Sequence, residues 1–122
     1  MVDDRVTEFR RLHESGCFVM PNPWDAGTAR ALESMGFKAL ATTSAGFAWT
    51  LGKPDNGITL EEALDHLRMV ASAVSVPVNA DFEGAFADDP DGVYENVRRA
   101  TETGIAGVSV EDSTGDREDP LY

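Results

Sequence analysis

Apolar positions along this chain fall into two alternating kinds of run, one spaced like a helix face and one short and continuous. Val2, Val6, Phe9 and Leu12 recur near helical spacing with charges between them, which predicts a helix over 2–14 ending at Gly16. Cys17-Phe18-Val19-Met20 then reads as a buried strand, closed by Pro21-Asn22-Pro23. Asp25 is placed to cap a second helix running to about Met35 and stopping at Gly36. Residues 37–43 make a second strand, and a long connection, 47–58, follows it; its length exceeds that of an ordinary strand-to-helix loop. Thr59 with Glu62 is a capping-box pattern for a third helix over 60–73. A third strand over 76–81 ends in Asp81, and the chain is expected to turn at Gly84. Asp89 and Pro90 suit the N-cap and first position of a fourth helix to about Thr103, and Gly104 closes it before a last strand over 107–111. No helix is expected over 116–122.

Gly16, Gly36 and Gly104 each follow a helix and precede a strand. The order is one helix, three strand-helix units and a final strand, so the fold class is α/β with parallel strands and right-handed crossovers. With 122 residues the chain has room for a single domain, 1–122. A (β/α)8 barrel takes ~250 residues, so four strands make either a small open sheet or the first half of a TIM-type barrel. Half a barrel would expose inward side chains from Phe18, Met20, Leu40, Val78 and Val108 or their immediate neighbours, and would leave two open strand edges. Self-association, as a homo-oligomer, is expected on that account.

Composition narrows the partners. Against 22 Asp and Glu stand 10 Lys and Arg, a formal charge of -12, which argues against nucleic acid and suits a solvated surface. The single cysteine, Cys17, forms no intrachain disulfide and sits in an apolar run, as a buried structural thiol would. The charged N-terminus has no apolar signal core, and no run approaches the ~20 apolar residues of a spanning helix; a cytoplasmic protein without membrane contact is expected.

Candidate chemistry gathers at the carboxyl ends of the strands, where parallel α/β folds bind ligands. Asp81 ends one strand, and Glu111-Asp112 ends the next. Two successive carboxylate tips suit a hard cation such as Mg²⁺, which prefers oxygen ligands and keeps several waters. Plainer readings compete: Asp81 and Glu111 as helix caps, Asp55 in Pro-Asp-Asn-Gly as turn chemistry, and Thr42-Thr43-Ser44 as an ordinary polar loop. His13 and His66 read as surface residues, and Trp24 and Trp49 as packing. A phosphoacceptor receiver module is disfavoured, because the first strand lacks an acidic pair at its end and neither Lys38 nor Lys53 follows the last strand.

Five stretches in order resemble the isocitrate lyase/phosphoenolpyruvate mutase family: Asn22-Pro23-Trp24-Asp25-Ala26-Gly27, Ala41-Thr42-Thr43-Ser44-Ala45-Gly46, Leu51-Gly52-Lys53-Pro54-Asp55, Val78-Asn79-Ala80-Asp81 and Val110-Glu111-Asp112. The resemblance covers about 16–122. It implies the first four strands of a (β/α)8 barrel, Mg²⁺ or Mn²⁺ as cofactor, and a small 2-oxo acid or phosphonate substrate that passes through an enolate as a C–C or C–P bond is made or broken. It implies Asp55, Asp81 and Glu111 as catalytic residues around the metal, and Thr43, Ser44, Ala45 and Asn79 as substrate contacts. Two departures stand out. Asn79 occupies a position where the family commonly has a first aspartate, with Glu83 close by in sequence. The lyases' Lys-Arg-Cys-Gly or Lys-Lys-Cys-Gly loop is replaced by Ser113-Thr114-Gly115-Asp116-Arg117, which argues against a true isocitrate or methylisocitrate lyase. The alternative is a non-catalytic, truncated barrel fragment that self-associates.

Overall fold

The computed structural model describes residues 4–121. Its elements are α1 (Asp4–Leu12), α2 (Ala26–Ser34), β1 (Leu40–Ala41), α3 (Ser44–Thr50), α4 (Leu60–Ala73), β2 (Val78–Asp81), α5 (Pro90–Thr101) and β3 (Gly107–Ser109). The strands form one parallel sheet in the order β1-β2-β3. Sequential neighbours with helical crossovers are the arrangement of a barrel wall, without the reversal of strand order that marks a doubly wound sheet.

Local signals explain most of the boundaries. The Asp25 carboxylate accepts the Thr28 N–H, and Thr28 returns a hydroxyl contact, closing a box at the start of α2. Thr59 and Glu62 do the same for α4, and Asp89 accepts the Gly92 N–H ahead of Pro90. Gly16, Gly36 and Gly104 all carry positive φ (77, 92 and 91°), the conformation that lets the chain leave a helix without a Cβ penalty. Val2, at the start of the expected first helix, lies outside the described residues.

Four expectations fail. Cys17 to Met20 forms no strand: Pro21 and Pro23 bring no N–H to a ladder, and the segment meets the sheet through single bonds, Ala41 N–H to the Pro21 carbonyl (3.2 Å) and Asn22 Nδ2 to the Ala41 carbonyl (3.1 Å). Cys17 is exposed rather than buried, for the same reason. The connection over 47–58 is partly helical, because Thr43 caps Ser44–Thr50 through the Gly46 N–H (3.2 Å). Gly84 is not the pivot of the turn after β2; Glu83, Ala85 and Phe86 take the positive φ values (48, 60 and 57°).

The core lies between sheet and helices. Leu40 and Val78 pack with Ala29, Val70 and Val74, while Phe82, Leu64, Leu67 and Ala80 fill a second cluster toward α5. Each such large side chain contributes roughly 1.5–3 kcal/mol by leaving water. Leu40 and Val78 therefore face the helices, not the inside of a barrel wall. Their alternates carry the open face: Asn79 and Asp81, in register with Gly107 and Ser109. Phe9 of α1 covers the lower part of this face, so close that a Cβ on Gly107 would overlap its ring.

Candidate active site

The strand ends converge on Asp81. Its Oδ2 accepts two hydrogen bonds from Ser44, one from the backbone N–H and one from the hydroxyl, both 2.8 Å. Its own N–H donates to Thr42 Oγ1 (2.9 Å), and Thr42 and Ser44 are both buried. The loop after β1 thus holds the last residue of β2 from both ends. Sequence reading singled out Thr43 and Ser44 for a substrate carboxylate; in the structure Thr43 Oγ1 caps α3 and both Ser44 donors point at Asp81. Ala45 sits half-buried in the first turn of α3.

The tips of β2 and β3 are tied together as well. Phe82 N–H donates to the Ser109 carbonyl (3.1 Å), and Glu111 N–H donates to the Glu83 carbonyl (2.8 Å). Asn79 lies one turn of the pleat below Asp81 on the same face, and its Nδ2 donates to Ser109 Oγ (2.9 Å). Asn79 therefore braces β2 against β3 and brings no charge.

Glu83, absent from the sequence-derived site, is the most unusual group here. Its side chain is buried and its Oε1 has no hydrogen-bond partner. Burial first, then the negative fields of Asp81, Asp55 and Glu111, push its carboxyl up to about 7. Glu111 is also raised, by burial first and then by Asp81, Asp55 and Asp112. Asp55, on its exposed loop, is thus near enough to act on both. Lys53 beside it is turned away and paired with Glu62 (2.6 Å). The sequence signal for Glu83 was only its place two residues after Asp81; nothing in composition announces that a left-handed backbone will bury it.

Carboxylate oxygens without a nearby cation are a donor set that fits a divalent metal. Among the described residues no group of three or more His, Cys, Asp or Glu stands close enough to ligate an ion directly. The fit is to a hydrated ion reached largely through waters, as Mg²⁺ is commonly held.

His66, expected at the surface, is buried: it stacks on Phe47 (centroids 3.9 Å, 10° between planes), and its Nε2–H donates to the Trp24 carbonyl (3.0 Å). Burial lowers its pKa. His13 is exposed, as expected. Trp24 and Trp49 pack edge to face at 5.7 Å, though both stay partly exposed. No helix among the described residues is long and apolar enough to cross a membrane.

The structure thus shows a parallel wall of sequential strands with acidic groups gathered at its carboxyl end. Residues 9–122 match the family described as phosphoenolpyruvate phosphomutase. The chain belongs to the phosphoenolpyruvate mutase/isocitrate lyase superfamily. It is 34% identical over 96 residues to 2,3-dimethylmalate lyase of Eubacterium barkeri, covering 77% of this chain and 33% of that protein. It is 33% identical over 95 residues to 2-methylisocitrate lyase of Aeropyrum pernix, covering 77% of this chain and 30% of that one. Among solved structures, a candidate lyase/mutase from Burkholderia cenocepacia J2315 superposes with a TM-score of 0.94 at 49% identity, covering 98% of this chain and 43% of its own. A crystal structure of 2,3-dimethylmalate lyase gives 0.85 at 30% identity, covering 100% and 44%. The chain spans about a third of the length of the two curated lyases and under half that of the solved barrels.

Proposed function

We propose that this chain supplies the metal-side half of a Mg²⁺- or Mn²⁺-dependent lyase or mutase acting on a small 2-oxo acid or a phosphonate analogue, by way of an enolate. The observation that carries the reading is the fixing of Asp81 at the rim by Ser44, with Glu83 and Glu111 gathered beside it. A divalent cation held there would stabilise the negative charge that an enolate oxygen develops. Asp81 would hold it most directly, with Glu111 and Asp55 accepting hydrogen bonds from its waters. Ser44 fixes the Asp81 carboxylate in one orientation, and Asn79 keeps β2 and β3 in register beneath it. Thr43, Ala45 and the α3 first turn border the same rim, on the side where a substrate carboxylate would lie. Ser113-Thr114-Gly115-Asp116-Arg117 stands in place of the cysteine loop that would supply the acid in a lyase of the isocitrate type, so cleavage of isocitrate or methylisocitrate is not the proposed reaction.

The reading is tested with the intact protein on 2,3-dimethylmalate, oxaloacetate and phosphonopyruvate, with Mg²⁺, with Mn²⁺ and with chelator. Turnover of at least one, lost with chelator and in Asp81→Ala, is expected. Turnover that survives both treatments would overturn it.

A further inference from the structure

Glu83 has no role in the reaction outlined above, yet it is the least accommodated polar group in the site. It is 8% exposed, and its Oε1 finds no donor. A buried carboxylate oxygen left unsatisfied costs more than a typical hydrogen bond returns, so such a group calls for a partner. The charged groups that face it are Asp81, Asp55 and Glu111, all of its own sign. Among the described residues no Lys or Arg pairs with any of these four; Lys53, on the same loop as Asp55, is taken by Glu62. The backbone supports the placement: Glu83 takes a φ of 48°, unfavourable for a side chain with a Cβ, while the flexible Gly84 beside it does not. Its carbonyl meanwhile binds the Glu111 N–H, which locks the two tips together.

We infer that Glu83 is a fourth carboxylate of the rim, belonging with Asp81, Glu111 and Asp55 to the shell of a hydrated divalent cation and supplying the charge that Asn79 lacks. This rests on the metal reading of the site and adds to it a residue and a charge count. The unpartnered Oε1 would accept a hydrogen bond from a metal-bound water, and the carboxylates around the ion would number four rather than three.

The test is Mn²⁺ binding to the intact protein, followed by calorimetry and by the rise in thermal midpoint on adding metal, with no turnover involved. Wild type, Asp81→Asn and Glu83→Gln are compared. Glu83→Gln should weaken Mn²⁺ binding ten-fold or more and shrink the metal-induced rise, while its metal-free midpoint stays equal to or above that of wild type. If Asp81→Asn loses Mn²⁺ and Glu83→Gln binds as tightly as wild type, the inference alone is overturned. If wild type binds no Mn²⁺, the metal reading falls and the inference with it. Should Glu83→Gln not fold, Glu83→Asp decides: weaker binding supports the assignment, and wild-type affinity overturns it.

Discussion

Ser44 gives two hydrogen bonds to a single oxygen of Asp81, from its backbone N–H and its hydroxyl, each 2.8 Å long. The pair joins residues 37 apart in sequence and ties the loop after β1 to the tip of the central strand. Both donors act on a carboxylate in a half-buried setting, where a charge-assisted bond contributes more than a neutral one. Ser44→Ala leaves the backbone donor and removes the hydroxyl. Its expected cost is about 1–2 kcal/mol in urea unfolding. Because Asp81 then has one fewer restraint, metal-dependent turnover should fall by roughly ten-fold or more. An unchanged stability and rate would show that the second bond orients nothing.

Glu83 sets a pH dependence of stability whose sign is unusual for an acid. Its folded pKa is raised to about 7 from the ordinary glutamate value of 4.5. Below 4.5 the group is protonated in both states. As pH climbs toward 7 the unfolded chain releases its proton first, so stability falls across that window and levels off above it. Glu83→Gln removes this slope. Measured without metal at pH 8, the variant should be more stable than wild type, by on the order of 3 kcal/mol at most. A variant that is less stable at pH 8 would mean that the carboxylate has found a cation after all.

Where the sequence carries local chemistry, it was sufficient: the Thr59–Glu62 box, the Asp89-Pro90 start and the three helix-ending glycines all appear in the fold as their side chains require. The end of β2 at Asp81 was legible too, and period-two burial puts Asn79 and Asp81 on one face, but β1 ends at Ala41 rather than Thr43 and β3 at Ser109 rather than Glu111. What failed depends on contacts between distant segments. Cys17–Met20 has the composition of a strand, but Pro21 and Pro23 bring no N–H to a ladder and the segment meets β1 only through single bonds at Pro21 and Asn22. His66 lies among charges in sequence, yet α4 turns it inward against Phe47 and the Trp24 carbonyl. Glu83 depends on a left-handed backbone that no residue type nearby advertises.

His66 provides a second pH test, opposite in sign to the first. Burial lowers its folded pKa below the ordinary histidine value of 6.5. The unfolded chain therefore binds a proton that the native state refuses, and stability falls as pH drops below 6.5 until the folded pKa is reached. Over the same range Glu83 pulls the other way, so wild type should show a shallow net slope. His66→Phe keeps an aromatic ring against Phe47 and loses the titration, at the cost of the bond to the Trp24 carbonyl. The difference between variant and wild type should shift in the variant's favour as pH falls from 7 to 5. A difference independent of pH would place the imidazole in water.

β3 is the edge of the sheet, and its neighbour Val110 is 46% exposed. The opposite edge is shielded, since the Pro21 carbonyl and the Asn22 side chain both bond to Ala41. The face that a barrel would enclose carries Asn79, Asp81 and Ser109 rather than the apolar Leu40 and Val78, so the drive to associate comes from an open strand edge more than from a greasy surface. A net charge of -12 opposes it at low salt. The 122-residue polypeptide is therefore expected to form dimers or larger species whose population rises with salt, seen by sedimentation velocity. Val110→Lys places a charge on that edge and should shift the polypeptide toward monomer. A monomer at every salt concentration, for both proteins, would show that β3 is covered by some part of its own chain.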